Sequence, residues 1–293
     1  MQLERLPWTC RDVRRIDCPL CGASEHVPLV VEHGLTIGRC PRCDLVFVNP
    51  QPTGDELQRF YAQYFPPESS PLWARQMGQV LRREGRNVLL RHRPVGRVLD
   101  VGCGFGFFLA VMRDAGWQAV GIEPSPTAAS WARETLGLDV RTGRLETAEL
   151  CPQSFDAVTL WYVLEHVPNP REVLSRCVEL LRPGGVLIAR VPNNNILIDR
   201  VLARLGRVGR RFYLMNPPRH LFDYSAVTLS RLMRKTGLRV RAVRNATPRA
   251  TGTVLQLLRR LGWYAGAEAL RLLLGDGCLF GSSITVYARK VGR

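Results

Sequence analysis

The chain has 293 residues, 46% of them hydrophobic, and a formal net charge of +16. Such a length and apolar fraction suit one large or two small domains with a sizeable core and exclude a disordered or fibrous chain. No run of eighteen apolar residues occurs, and Glu4, Arg5 and Arg11 stand among few apolar residues. Neither a spanning helix nor a secretory signal is therefore expected, and the expected compartment is the cytoplasm.

The charge is almost all arginine, with Lys235 and Lys290 the only lysines, and it is regional. Residues 196–263 hold 15 Arg or Lys against Asp199 and Asp223, a local net of +13, while the remainder of the chain nets +3. A basic surface of that kind attracts the phosphates of RNA, of anionic lipid or of a nucleotide-linked substrate. A solvated arginine-rich face without a partner is the plain alternative.

Cys18-Pro-Leu-Cys21 and Cys40-Pro-Arg-Cys43 are two C-x-x-C pairs separated by eighteen residues. Each supplies two thiolates from one tight turn, and four complete a tetrahedral zinc site. Four sulfur ligands leave no position for water or substrate, so the expected zinc is structural, folding a ribbon over residues 1–50 that is too short for a core of its own. A redox pair is the alternative for a single C-x-x-C. Cys10, Cys103, Cys151, Cys177 and Cys278 follow no pattern and read as thiols of a reducing compartment.

After the ribbon, Leu45 to Val48 reads as a short strand, Asn49 to Pro52 as a turn, and Asp55 to Tyr64 as a segment carrying Tyr61 and Tyr64. Prolines 66, 67 and 71 mark a linker, and Leu72 to Arg91 reads as a helix over a cofactor site, so residues 51–94 form linker and cover. Either tyrosine is a candidate to close on the methionine end of a cofactor.

Residues 97–106, Arg-Val-Leu-Asp-Val-Gly-Cys-Gly-Phe-Gly, read as a buried strand entering a glycine-rich turn, followed by a helix stopped at Gly116. Glycines fit a turn that a ligand approaches more closely than a Cβ allows, and the helix N-terminus offers free N–H groups. A dinucleotide fold wants its third glycine where Phe107 stands. The D-x-G-x-G-x-G form resembles motif I of class I S-adenosylmethionine-dependent methyltransferases. Trp117 to Glu123 is the second predicted strand, Ser125-Pro126 caps a helix closed by Gly137, and Leu138 to Gly143 is the third strand. Phe155 to Trp161 is the fourth, then come Glu165-His166-Val-Pro, a helix to Leu181, the turn Arg182-Pro-Gly-Gly185 and a strand to Val191. This strand–helix alternation is that of a parallel sheet covered on both faces. The order F-D-x-V, E-H-V-x-x-P and L-R-P-G-G is similar to the same family over residues 95–195. The C-x-x-C-G, C-x-x-C-x-L-x-F-x-N-P and Tyr-x-x-Tyr run ahead of it resembles that family's bacterial zinc-ribbon subfamily.

The resemblance implies an α/β fold, a doubly wound, mostly parallel seven-stranded sheet with an N-terminal ribbon and a methyltransferase domain over 95–293. It implies S-adenosylmethionine held by Asp100, Gly102, Cys103, Gly104 and Gly106, with the Cys103 backbone facing the cofactor. Glu123 would accept from both ribose hydroxyls, and Trp161 would border the cofactor at the substrate end of the sheet. Arg144 stands where the family often has an aspartate for adenine, so that contact passes to the Leu145 backbone or to Glu146. In ubiquinone-pathway O-methyltransferases, which this stretch also resembles, an earlier glutamate joins the Glu-His pair on a metal. Tyr162 takes its place here, and no catalytic divalent metal is expected.

Asn194 to Arg211 reads as a basic amphipathic helix, part of a cap over 196–225 that lies on a pocket, a partner or an anionic membrane. His220 follows in an H-L-F-x-x-S-x-x-T-L segment typical of the family, where it borders the acceptor. His166 and His220 are the candidate bases for a hydroxyl acceptor, with a structural hydrogen-bonding role as the alternative for each. Ser225 caps a helix ending at Gly237, Leu238 to Val243 and Ser283 to Lys290 form an antiparallel edge, and Thr253 to Leu274 inserts two apolar helices. The expected reaction is methylation, with a small molecule or glycan precursor as acceptor. RNA is the second reading, stacking on Phe212, Tyr213 and Phe222; a cofactor-binding scaffold on membranes is the third.

Overall fold

The computed structural model describes residues 12–64, 95–193, 215, 217–245 and 283–291, with isolated helical positions at 85, 262, 265, 266 and 269. Outside the described residues lie the expected cover helix apart from Gly85, the side chains of Tyr61 and Tyr64, the basic helix 194–211, Phe212, Tyr213 and most of the 253–274 insertion. Much of the basic region is among them.

Seven described strands make the main sheet. They are β6 (Arg97–Val101), β7 (Gln118–Glu123), β8 (Asp139–Thr142), β9 (Phe155–Trp161), β10 (Leu181–Pro192), β12 (Leu238–Asn245) and β13 (Ser283–Lys290), in the spatial order β12-β13-β10-β9-β6-β7-β8. Strands β8, β7, β6, β9 and β10 run parallel; β13 is antiparallel to both β10 and β12. The central strands are buried on both faces, as their Val-, Leu- and Ala-rich runs require.

Helices return the chain between parallel strands. α2 (Phe107–Asp114) buries Phe108, Leu109 and Met112 and stops at Gly116, where φ is +88°. α3 (Pro126–Leu136) starts with Ser125 accepting the Ala128 N–H and Pro126 in its first turn, and ends at left-handed Gly137. α4 (Pro170–Leu180) is capped by Asn169, and α5 (Ala226–Lys235) by a reciprocal Ser225–Thr228 box. One expectation needs correcting: Arg182 to Gly185 is no separate turn but lies inside β10, bulged out between the Leu181–Phe155 and Val186–Ala157 pairs. Arg182 pins that bulge to Asp156 at 2.7 and 2.8 Å.

The N-terminal segment builds a second sheet from β2 (Val27–Glu32), β3 (Leu35–Arg39) and β4 (Val46–Val48), beside the short pair β1 (Val13–Arg14) and β5 (Gln51–Pro52) and helix α1 (Gly54–Tyr64). Its fourth strand comes from far along the chain: β11 (Phe222–Asp223) lies antiparallel on β4. Cys18, Cys40, Cys43, Leu45 and Phe47 accordingly share one apolar cluster with Leu160, Leu164, Leu221 and Phe222. Among the described residues no helix is long and apolar enough to cross a membrane.

Candidate active site

The site lies at the carboxyl ends of β6, β7, β9 and β10. Where β6 ends, the N–H groups of Gly102 and Cys103 both reach the Ile122 carbonyl of β7, at 2.8 and 3.1 Å, and this folds the chain back into a tight turn before α2. Gly102, Gly104 and Gly106 have φ of +66°, +54° and +76°, a region closed to most residues with a Cβ. Their spatial reasons differ. A Cβ on Gly102 would meet Val163 Cγ2 at 2.7 Å, and one on Gly106 would meet Leu138 Cδ1 at 2.5 Å, whereas one on Gly104 meets nothing within 4 Å. The expectation that all three clear a path for ligand is corrected: Gly102 and Gly106 make room for protein, and Gly104 alone faces open space. Cys103 turns its sulfur toward Gly121, whose own Cβ would lie 2.7 Å from it, so the thiol packs between turn and sheet.

Two carboxyl groups stand behind the turn. Glu123, at the end of β7 and 6% exposed, accepts the Gly104 N–H at 2.8 Å on one oxygen and the Ser125 N–H at 2.9 Å on the other. Each oxygen keeps a lone pair beyond the one its backbone N–H occupies. Asp100 is buried in β6 and takes a 2.6 Å hydrogen bond from the Thr159 hydroxyl. Burial, aided by the charge of Glu123, pushes Asp100 up to about 8. The loop after β8 is joined to this corner by the Gly143 N–H, which donates to the Glu123 carbonyl at 3.0 Å, and Leu145 opens the short helical turn Leu145–Thr147 with its side chain buried.

Across the sheet end, Trp161 closes β9, its ring 5.1 Å from Phe108 and 5.6 Å from the Arg190 guanidinium. Arg190, unremarked in the sequence, is buried in β10 with its Nε donating to the Thr285 hydroxyl at 2.9 Å. Tyr162 leaves the strand in a left-handed turn, φ +60°, and its hydroxyl reaches Ser283. The next turn brings Glu165 and His166 against His220. His166 Nδ1 is held by the Arg219 carbonyl, its ring lies edge-on to His220 with centroids 4.8 Å apart, and its Nε2 is 3.9 Å from a Glu165 oxygen. Burial, with His220 beside it, pushes His166 down to about 3, and burial pushes Glu165 up to about 8. Glu165 is 1% exposed, and among the described residues neither of its carboxyl oxygens has a hydrogen-bond partner.

The resemblance to ubiquinone-pathway O-methyltransferases puts Tyr162 where their third metal ligand stands, and on that ground no catalytic divalent metal is expected. The structure supplies a different third donor: ligand atoms of Glu165, His166 and His220 all lie within 4.8 Å of one another. Phe222, expected to stack on RNA bases, is buried against Phe47 and Tyr224 and presents no face to a nucleotide.

The four ribbon cysteines converge as their spacing requires. Sγ of Cys18 and Cys43 are 3.4 Å apart, as are those of Cys21 and Cys40, and all four lie within 4.8 Å of one another. That is too long for a disulfide of about 2.05 Å and close to the roughly 3.8 Å between corners of a tetrahedron with Zn–S near 2.3 Å. The two turns match: Gly22 and Asp44, each following the second cysteine, take φ of +74° and +63° and return their N–H groups to the carbonyls of Cys18 and Cys40.

A seven-stranded sheet in this strand order, with a glycine turn after β6 and a buried acid closing β7, is the frame of class I S-adenosylmethionine-dependent methyltransferases. Residues 73–243 match the family described as "Methyltransferase domain", and the chain belongs to it. It is 40% identical over 106 residues to the ubiquinone biosynthesis O-methyltransferase of Xanthomonas campestris pv. campestris, covering 34% of this chain and 44% of that protein. With the same enzyme of Azoarcus sp. it shares 37% over 153 residues, covering 48% and 64%. The chain thus spans about half the length of these relatives. An S-adenosylmethionine dependent methyltransferase from Mesorhizobium loti matches in fold with a TM-score of 0.51 at 20% identity, over 73% of this chain and 100% of that one.

Two outcomes follow from this geometry. Gly106→Ala meets both Leu138 and a forbidden φ and should lower stability by about 2 kcal/mol or more, whereas Gly104→Ala should cost only about 1 kcal/mol yet weaken S-adenosylmethionine binding by about tenfold or more. Thermal melts and calorimetric titration separate the two; equal effects on both quantities would contradict the assignment.

The second concerns pH. Asp100 and Glu165, raised to about 8, hold protons that the unfolded chain has released, so their contribution to stability is full below about pH 4 and is lost as pH rises toward 8. His166, lowered to about 3, opposes this only below its ordinary value near 6.5. Stability of the ligand-free protein should therefore fall between pH 6.5 and 8, each acid contributing up to about 1.4 kcal/mol per pH unit. Melts of Asp100→Asn and Glu165→Gln should show a flatter profile; slopes equal to that of the natural chain refute it.

Proposed function

We propose that this methyltransferase moves the S-adenosylmethionine methyl group to a hydroxyl of a small molecule, an O-methylation of a natural-product or glycan precursor, with His220 as proton acceptor and a structural zinc ion in the ribbon. The observation that carries it is the His166–His220 pair at the carboxyl end of β9, beside the cofactor turn, together with the O-methyltransferase names of the relatives.

S-adenosylmethionine supplies a methyl group on a cationic sulfur, already bound to a good leaving group. The chain's own residues then hold the acceptor in line, exclude water and take one proton. The Arg219 carbonyl can only accept, so neutral His166 carries its proton on Nδ1 and its lone pair on Nε2. Held neutral by burial, His166 adds no repulsion when His220 becomes cationic. With the cofactor bound, His220 would take the proton that the acceptor hydroxyl gives up on methylation. Buried Arg190, stacked near Trp161, adds positive charge at the same end of the sheet and favours an anionic or electron-rich acceptor.

A second reading comes from Glu165. Its buried, unpartnered carboxyl group and the two imidazoles make a donor set suited to a divalent ion of the zinc or manganese type, with Nδ1 of His166 bonded to a backbone carbonyl as metal-bound histidines commonly are. The two readings part in one series of measurements. Transfer of labelled methyl into a fractionated lysate should place label in the organic or glycan pool. With that acceptor, His220→Ala should lose about 10²- to 10⁴-fold in kcat and His166→Ala less, while cofactor affinity holds. Full turnover in both variants, or label in RNA, overturns the proposal. Micromolar binding of a divalent ion that vanishes in Glu165→Gln favours the second reading.

A further inference from the structure

We propose that the four-cysteine ribbon is the positioning element of the acceptor-side histidine pair: the strand that follows His220 belongs to the ribbon's own sheet. This rests on the zinc reading above.

The knuckle leads directly into the strand concerned. Cys40 N–H donates to the Leu45 carbonyl and Asp44 N–H to the Cys40 carbonyl, at 2.9 Å each, and β4 begins at Val46. Val46 and Phe47 pair with Asp223 and Phe222 in β11, and the Val48 N–H donates to the Leu221 carbonyl at 2.9 Å. On its other side the same segment is tied to the residue before His166: the Leu221 and Phe222 N–H groups both donate to the Glu165 carbonyl, at 2.7 and 3.3 Å. One backbone segment therefore bridges the ribbon sheet and the Glu165–His166 turn, and His220 immediately precedes it.

The start of the His220 turn rests on the ribbon as well. His220 N–H donates to the Met215 carbonyl at 3.2 Å, and Met215 is buried in a cluster with Leu35, Ile37, Val46 and Val48. Side chains lock the register: Phe222 stacks on Phe47 with centroids 6.1 Å apart, His26 tilts on the other ring at 4.7 Å, and a His26 ring nitrogen bonds the Phe47 carbonyl at 3.0 Å. Gly38 has no Cβ because His26 occupies that space, 2.4 Å from where it would stand. β11 is two residues long and cannot hold a fixed position without a partner. The partner is β4, and β4 is held by the knuckle.

The consequence is a division of dependence. The glycine turn, Glu123 and Asp100 stand on β6 and β7, which share an apolar core with the ribbon but whose hydrogen-bond ladder does not depend on β4. The His166–His220 geometry does. Zinc occupancy should control acceptor chemistry and leave cofactor affinity alone.

The test uses the full chain. Its zinc content is measured, the metal is stripped with a chelator, and amide hydrogen exchange is followed over 45–48, 217–224 and 118–123, beside the dissociation constant for S-adenosylmethionine. Stripping should speed exchange over 45–48 and 217–224 by about tenfold or more, leave 118–123 and the cofactor constant within about twofold, and be reversed by added zinc. Unchanged exchange over 217–224 after zinc is demonstrably removed overturns the inference. A chain that never binds zinc overturns the zinc reading instead, a separate result. If the stripped protein unfolds, Phe222→Ala with zinc retained carries the test: it should speed exchange over 217–224 and lower kcat without changing the cofactor constant or zinc content, and unaltered exchange and kcat refute the idea.

Discussion

Glu123 ties two backbone N–H groups into one corner, and the cofactor half of the molecule hangs on that tie. A carboxyl group at the end of a buried strand is costly unless its oxygens are bonded. Here the Gly104 and Ser125 N–H groups bond both, fixing the glycine turn after β6 and the start of α3 in one act. The loop after β8 joins through the Glu123 backbone, and Asp100 lies behind with Thr159. The turn is thus shaped by hydrogen bonds and close packing before any ligand arrives, which is the preorganisation a small cationic cofactor needs.

The half that carries the histidine pair is made differently. Its residues come from three places in the chain, namely the ends of β9 and β10, the Glu165–His166 turn and the stretch around His220, and they meet because β11 adds a strand to the ribbon sheet. The ribbon and the main sheet share an apolar cluster that runs from the cysteines to the core of β9. The four cysteines and the strand that leads to the Glu165–His166 turn therefore share a common core.

The electrostatics follow the same division. Two acids behind the turn and a third at Glu165 are buried and raised toward protonation, while His166 is held neutral. Positive charge gathers at Arg190 and along the later strands. Glu123 and Asp100 thus stand at the glycine turn, while His166, Glu165 and Arg190 gather at the ends of the neighbouring strands.

The sequence by itself determined the strand–helix alternation, the caps at Ser125 and Ser225, the cofactor turn and the four cysteines, because each of these is written in local periodicity, a capping residue or a short spacing. It read the three glycines alike, and only the structure separated them: the atoms that exclude a Cβ at Gly102 and Gly106 belong to Val163 and Leu138, residues outside the turn. It offered Phe222 to the RNA reading as a stacking face, for a two-residue strand has no period to read and its partner Phe47 lies far away in the chain. It saw Glu165-His166 and His220 as separate candidates. Their meeting within 4.8 Å was decided by the tertiary structure alone, since the distance between segments far apart in sequence is set by which strands pair and by nothing local to either segment.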